Sequence, residues 1–228
     1  MTGITRRQFL RLTALFPIVS PMSAAVFAQE ADAEIDRRFP ITTSVLKAAY
    51  RSEMSAHKHY LGYSQKAIGE KYPNIAYLFS AFAISEKIHA ENYEKVLVKL
   101  RTKLEESTLE IMISDTRSNL RTAAKNELIK IKKIYPEFLE ELGIESHDQA
   151  VINCMYAWKC HCQHEKKINE IRKYSRLFFG SVAKEIEGMN LDFHVCEICG
   201  STMDVQPETP CDICNFPMYH YMKVPSPC

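Results

Sequence analysis

Neither sign of charge dominates this chain: 29 lysines and arginines stand against 28 aspartates and glutamates, a formal net charge of +1 over 228 residues. There is no basic run and no interleaving of basic with aromatic residues, which excludes a nucleic-acid surface. No apolar run is long enough for a stable membrane span; the nearest, Leu12 to Phe27, is interrupted by Pro17 and Pro21. No internal repeat at solenoid periods is apparent. Hydrophobic residues make up 46% and charged residues 25%, so the composition also excludes disorder and suits one or two domains with a real core.

The first 28 residues are expected to be removed. They open with Thr5-Arg-Arg-Gln-Phe-Leu-Arg11, continue through the apolar stretch and offer Val26-Phe27-Ala28 as a small-residue cleavage site. The Arg6-Arg7 pair followed by Phe9 and Leu10 resembles a twin-arginine export signal, a route for proteins already folded. That predicts a periplasmic protein with no membrane insertion after processing, and it suits a chain that takes up metal before export. The mature chain, with 26 basic and 28 acidic residues, starts with a linker over 29–42.

Eight cysteines in an exported protein invite a disulfide reading, but their grouping argues otherwise. Cys196-x2-Cys199 and Cys211-x2-Cys214 form two knuckles in a short, turn-rich, aromatic segment. Two such knuckles present four thiolates tetrahedrally, and the turning backbone amides tune the sulfurs. Sulfur ligation alone leaves iron and zinc both open. Cys154, Cys160 and Cys162 lie close together elsewhere. Cys154 reads as packing, Cys160 and Cys162 as a candidate redox or ligand pair, and Cys228 as a terminal thiol.

Between these ends the apolar residues recur with a helical period, and four long helices are predicted. The first spans about 43–67 and ends at Gly69. The second opens at Tyr72-Pro73 and runs to about Lys103, and a crossover occupies 105–117. The third covers about 118–142 with Gly143 behind it. The fourth begins with a capping box at Ser146-x-x-Gln149 and continues towards Phe179. On the second, Ile75, Phe79, Phe82, Ala90, Tyr93, Leu97 and Leu100 form one stripe, and Glu86 and His89 sit in its middle. A carboxylate and an imidazole inside a core stripe are costly unless paired or bound to metal. The other helices answer them with Glu53, Glu127, and His161 with His164, at midpoints that a shared rise per residue brings to one level.

Taken together, these residues resemble a rubrerythrin. The resemblance is carried by Glu53 with Tyr60, Glu86-x-x-His89, Glu127 followed by Tyr135-Pro-Glu-Phe138, His164-Glu-Lys-Lys167 and the paired knuckles. It implies a mainly α fold: a ferritin-like four-helix domain over 43–182, a linker over 183–190 and a rubredoxin-like domain over 191–228. It further implies a bundle site for iron and a four-thiolate iron site that refills it. The implied activity is reduction of hydrogen peroxide to water, with an unidentified electron donor and a homodimer in which electrons often cross from the partner subunit.

Transferred residue by residue, the pattern meets two departures. Lys130 stands where the third helix should supply a second Glu, and His161 where the fourth should supply a bridging Glu. The bundle ligand set becomes Glu53, Glu86, His89, Glu127, His161 and His164, for two metal ions or one. Lys130 either takes the place of a second ion against Glu53 or snorkels out of the bundle. Tyr60, Tyr135 and Lys130 are candidate proton donors. Two rival functions remain: an exported iron or zinc store, carrier or sensor, and an electron carrier that uses the knuckles alone.

Overall fold

The computed structural model describes residues 38–104, 110–175 and 187–227. The export segment with most of the linker behind it, the first five residues of the crossover, the predicted end of the fourth helix with the first half of the linker that follows, and Cys228 lie outside them. The described residues form five α-helices of some length: α1 (Pro40–Gly69), α2 (Pro73–Lys99), α3 (Thr116–Ile129), α4 (Tyr135–Glu145) and α5 (Asp148–Ser175). A π-helical turn over Lys130–Ile134 joins α3 to α4, so the two make the third rod of a four-helix bundle. A small antiparallel sheet follows, β1 (His194–Cys196), β2 (Thr202–Met203) and β3 (Tyr221–Lys223), in the order β2-β1-β3.

The helix ends are set by named groups. Pro40 and Pro73 open α1 and α2, where a missing N–H costs nothing. Neither helix has a cap from its own N-cap side chain, and distant carboxylates do that work. Glu145, at the end of α4, accepts from the Ile41 and Thr42 amides at 2.9 and 2.8 Å. Glu187 accepts from the Asn74 amide at 2.8 Å. Asp115 caps α3 through the Ser118 amide at 3.0 Å.

Three local expectations are corrected. The second helix ends at Lys99 rather than Lys103, and a left-handed Arg101 turns the chain away. Gly143 does not stop the third rod, which continues to Glu145. The capping box at Ser146 does not form: Ser146 itself adopts the left-handed conformation (φ 51°) that closes α4, and its hydroxyl donates to the Gly143 carbonyl. His147 supplies the acceptors at the start of α5 instead.

The π turn is the feature that periodicity did not reveal. Lys130 and Tyr135 are five residues apart, which in a regular α-helix turns them about 140° from one another. With the i→i+5 bond from the Tyr135 amide to the Lys130 carbonyl, both face inward. Pro136 follows and has no N–H for the carbonyl five residues back. The single tryptophan, Trp158 on α5, donates its ring N–H to that Ile131 carbonyl at 3.1 Å.

Two apolar clusters fill the bundle. One gathers Tyr60, Tyr63, Phe79, Phe82, Leu120 and Ile168 with Phe193, Val195 and Val224 from the tail. The other gathers Val45, Leu46, Tyr93, Leu97, Tyr135 and Leu142 with Cys154. The tail is therefore joined to the bundle through a common core, and the Tyr77 hydroxyl donates to the Val224 carbonyl at 2.8 Å. Between the clusters lies a polar layer.

Glu145 has a carboxyl held below its ordinary 4.5: burial pushes it up, but the amides of Thr42 and Ile41 outweigh that. A depressed folded value contributes stability above pH 4.5 that fades as the pH falls through it. Glu145→Ala should cost ~0.5–2 kcal/mol at neutral pH, within the range for a lost helix cap. Thermal melts should show a drop of roughly 2–6 °C at pH 7, narrowing towards about pH 3.

Candidate metal centre

The polar layer contains every bundle residue singled out in the sequence. Glu53, Glu86, Glu127, His161 and His164 are 0–1% exposed, His89 2% and Lys130 6%. The snorkelling alternative for Lys130 is overturned, because the π turn aims its amine into the bundle. Lys130 Nζ donates to Glu53 Oε2 at 2.6 Å and lies 3.7 Å from Glu86 Oε2. The Tyr135 hydroxyl donates to the other Glu53 oxygen at 2.7 Å and meets Tyr93 at 3.0 Å. Tyr60 donates to Glu127.

Two overlapping donor groups result, Glu53, Glu86, His89 and His161 on one side and Glu86, Glu127, His161 and His164 on the other. In the second, His161 Nδ1 is 2.7 Å from Glu127 Oε2, and His164 Nδ1 is 3.3 Å from Glu86 Oε1 and 3.8 Å from Glu127 Oε1. A first-row ion bound at about 2.1 Å sets its ligand atoms roughly 3.0–3.4 Å apart; the His164–Glu86 pair has that spacing, and the other two separations lie within a few tenths of an ångström of it. Buried Glu86 Oε1, His161 Nε2 and His164 Nδ1 have no hydrogen-bond partner, and orphaned buried donors of this kind need an explanation. Thr202 supplies one. Its hydroxyl lies 3.3 Å from the Gly200 carbonyl and 3.4 Å from His164 Nε2; when it donates to the carbonyl it accepts from Nε2–H, the tautomer that leaves a lone pair on Nδ1 for the centre.

Electrostatics reinforce the layer. Burial alone would raise Glu86 and Glu127. Lys130 and His161 outweigh it at Glu86, and His161 with His164 does so at Glu127, holding both below the usual carboxylate range. Burial would lower Lys130, yet Glu53, Glu86 and Glu127 push it up and keep it an ammonium. Tyr60 and Tyr135 are raised well above 10 by burial and by the facing carboxylates, so both hydroxyls keep their protons.

The four cysteines of the knuckles are buried together and unpaired by disulfides. Cys196 and Cys214 sulfurs lie 3.7 Å apart, Cys199 and Cys211 sulfurs 3.5 Å. Four sulfurs about 2.3 Å from one ion would be spaced by roughly 3.8 Å, so the set fits a tetrahedral metal. Both knuckles close on a left-handed residue four positions after the first cysteine, Gly200 (φ 83°) and Asn215 (φ 60°). Only at the first must it be glycine: a Cβ on Gly200 would come within 2.5 Å of His89 Nε2 and 2.9 Å of Ser85 Oγ.

That close approach is the second finding the sequence did not disclose. The first knuckle sits on α2 and α5 of its own chain. His89 Nε2 meets the Cys199 carbonyl at 3.0 Å, while its Nδ1 meets Glu86 Oε2 at 3.1 Å. Ser85 donates to the Gly200 carbonyl at 2.6 Å, and the Cys160 thiol donates to the Cys199 carbonyl at 3.1 Å. One side chain thus links a thiolate-bearing residue to a bundle carboxylate within a single chain. Cys160 and Cys162 do not form a pair, since residues two apart on a helix point away from each other, and Cys162 is exposed. Cys154 packs beside Tyr93 and Tyr135, as expected of a small buried thiol.

A cavity of ≈ 220 Å³ opens between α1 and the third rod, and Ser55, His59, Tyr60, Asn126, Glu127 and Lys130 are among the residues lining it. It brings solvent-sized molecules to the polar layer.

A family profile described as Rubrerythrin matches residues 44–171. Rubrerythrin-2 of Clostridium acetobutylicum is 31% identical over 180 residues, spanning 77% of this chain and 92% of that protein. Nigerythrin of Nitratidesulfovibrio vulgaris is 27% identical over 178 residues, spanning 77% and 83%. Among solved structures, fully reduced, all-ferrous nigerythrin superposes with a TM-score of 0.68 at 24% identity, over 80% of this chain and 86% of that one. A bacterioferritin of Desulfovibrio desulfuricans superposes with a TM-score of 0.60 at 18% identity, over 68% and 91%. The fold is therefore ferritin-like, with a four-cysteine tail.

Replacing Gly200 by alanine should lift the first knuckle off α2. Hydrogen exchange is expected to quicken at the amides of residues 196–202 while the amides of α1 keep their protection. Unchanged exchange at the knuckle would show that the packing tolerates a methyl group.

Proposed function

The chain belongs to the rubrerythrin family, and from that premise we propose that it is an exported non-haem iron oxidoreductase that reduces hydrogen peroxide to water. One observation carries the reading: a buried set of carboxylates and imidazoles with orphaned donor atoms, hydrogen-bonded through His89 to a four-cysteine cluster. Glu86, Glu127, His161 and His164 would hold iron in the bundle, with Glu53 and His89 beside it. Cys196, Cys199, Cys211 and Cys214 would hold the iron that returns electrons. Iron bound by these residues would supply electrons and polarise the O–O bond.

The remaining steps belong to the chain. Peroxide enters through the cavity between α1 and the third rod and meets Tyr60, Glu127 and Lys130 at its inner end. Reduction takes two electrons and two protons, breaks the O–O bond and releases two waters. Protons are available at the Lys130 ammonium and the Tyr60 hydroxyl, both of which are protonated at neutral pH for the reasons given above. Glu127 orients Tyr60, and Glu53 holds Lys130 and Tyr135. The apolar clusters on either side exclude bulk water from the layer and strengthen each charge interaction within it.

The reading includes a periplasmic location, supported by the Arg6-Arg7 segment, and a homodimer served by an external reductant. The second reading, an exported iron or zinc store, carrier or sensor, is favoured by the Lys130–Glu53 ion pair, which occupies donor capacity that catalysis would otherwise use. An electron carrier using the knuckles alone would show a redox-active cysteine site without peroxide turnover.

Full-length protein supplied with iron and a reductant is expected to consume peroxide with two electrons per molecule. His164→Ala should take turnover to background while the visible absorption of the four-thiolate iron persists. Undiminished turnover in that variant would rule out the bundle as the reacting site.

A further inference from the structure

We infer that the bundle binds one metal ion rather than two, and that the Lys130 ammonium stands in the second position as a built-in cation. The inference rests on the reading of this layer as a metal centre, and it is independent of peroxide as the substrate.

The two donor groups are not equivalent. On the side of Glu53 the donors are already engaged. Glu53 Oε2 takes Lys130 at 2.6 Å and Oε1 takes Tyr135 at 2.7 Å. His89 stands between Glu86 Oε2 at 3.1 Å and the Cys199 carbonyl at 3.0 Å, two acceptors of which a neutral ring serves one. On the side of His164, Glu127 is engaged by His161 Nδ1 and by Tyr60, but Glu86 Oε1 and His164 Nδ1 are buried without hydrogen-bond partners and lie 3.3 Å apart. The third orphan, His161 Nε2, lies 3.5 Å from Glu53 Oε1, next to the lysine rather than in open space. The side of His164 keeps two unpartnered donors 3.3 Å apart, whereas the side of Glu53 keeps one, and there the lysine already holds the carboxylate.

Charge leads to the same assignment. The layer holds three carboxylates, Glu53, Glu86 and Glu127, and one ammonium, all buried. With the imidazoles counted as neutral, a single divalent ion together with Lys130 balances the three negative charges. Two divalent ions would leave a surplus of two positive charges in a buried site, where unpaired charge is strongly disfavoured. His161, where the resemblance calls for a bridging carboxylate, adds a neutral ligand and cannot offset that surplus.

The lysine is also held in place. The π turn points it inward, Tyr135 fixes the Glu53 carboxylate from the opposite oxygen, and Tyr93 fixes Tyr135. Displacing the amine to admit a second ion would take Glu53 from the buried Lys130 and leave the amine Glu86, 3.7 Å away, as its nearest other carboxylate among the described residues.

The test is a metal count with a location. Full-length protein loaded anaerobically with ferrous iron and desalted is expected to carry two irons per chain, one in the cysteine cluster and one in the bundle. Anomalous scattering at the iron edge should give a single bundle peak within reach of Glu86, Glu127, His161 and His164, with the Lys130 amine still on Glu53. Lys130→Glu, which returns a carboxylate, should raise the count to three. Two bundle peaks in the unaltered protein, or none, overturn the inference, and the unaltered protein decides the matter if the variant fails to fold. A single bundle peak without peroxide turnover would sustain this inference and sink the enzymatic reading. Two peaks with full turnover would do the reverse.

Discussion

An ion pair 2.6 Å long, closed to water, joins Lys130 to Glu53 at the centre of the bundle. Removing two such charges from water is expensive, and their attraction offsets the cost only when the remaining lone pairs and protons are satisfied. Here they are: Tyr135 takes the second Glu53 oxygen, and Glu86 stands near the amine on its far side. The arrangement requires a helix that can place residues 130 and 135 on one face. The π turn meets that requirement, and Pro136 with Trp158 stabilises it. A local irregularity in the backbone therefore decides which charges can occupy the layer.

The same layer explains why the bundle and the tail share a core. His89 extends from α2 to the Cys199 carbonyl, and Thr202 meets His164. Both contacts demand that the first knuckle lie flat on the helices, which in turn demands glycine at position 200. A bulkier knuckle residue would separate the cysteine cluster from the carboxylates by the width of a side chain. In a homodimer, an exchange of electrons between subunits would have to compete with this route, which is complete within one chain.

Much of this was legible beforehand because it follows from period and residue type. The stripe of α2 with Glu86 and His89 in its middle and the midpoints of Glu53, Glu127 and His161 with His164 all converge as the sequence indicates. What was not legible depends on backbone register and tertiary contact. Helical periodicity assumes 3.6 residues per turn, so the π turn was invisible, although a proline inside a helical pattern was a signal of local distortion. The fate of Lys130 was open because a lysine can lie on either side of a helix surface until its turn is known. The capping box at Ser146 misled, since the same residue satisfied a left-handed closure of the preceding helix. Packing of the knuckle on its own bundle had no sequence signature beyond Gly200, a residue that any tight turn also uses.

The hydroxyl of Thr202 carries a consequence for how such proteins are taken apart. A strand residue of the tail stands 3.4 Å from a bundle histidine, so the two metal sites are not interchangeable cassettes. Grafting this four-helix unit onto another redox carrier would take Thr202 from His164 and the Cys199 carbonyl from His89, and with them the tail's hold on two bundle imidazoles.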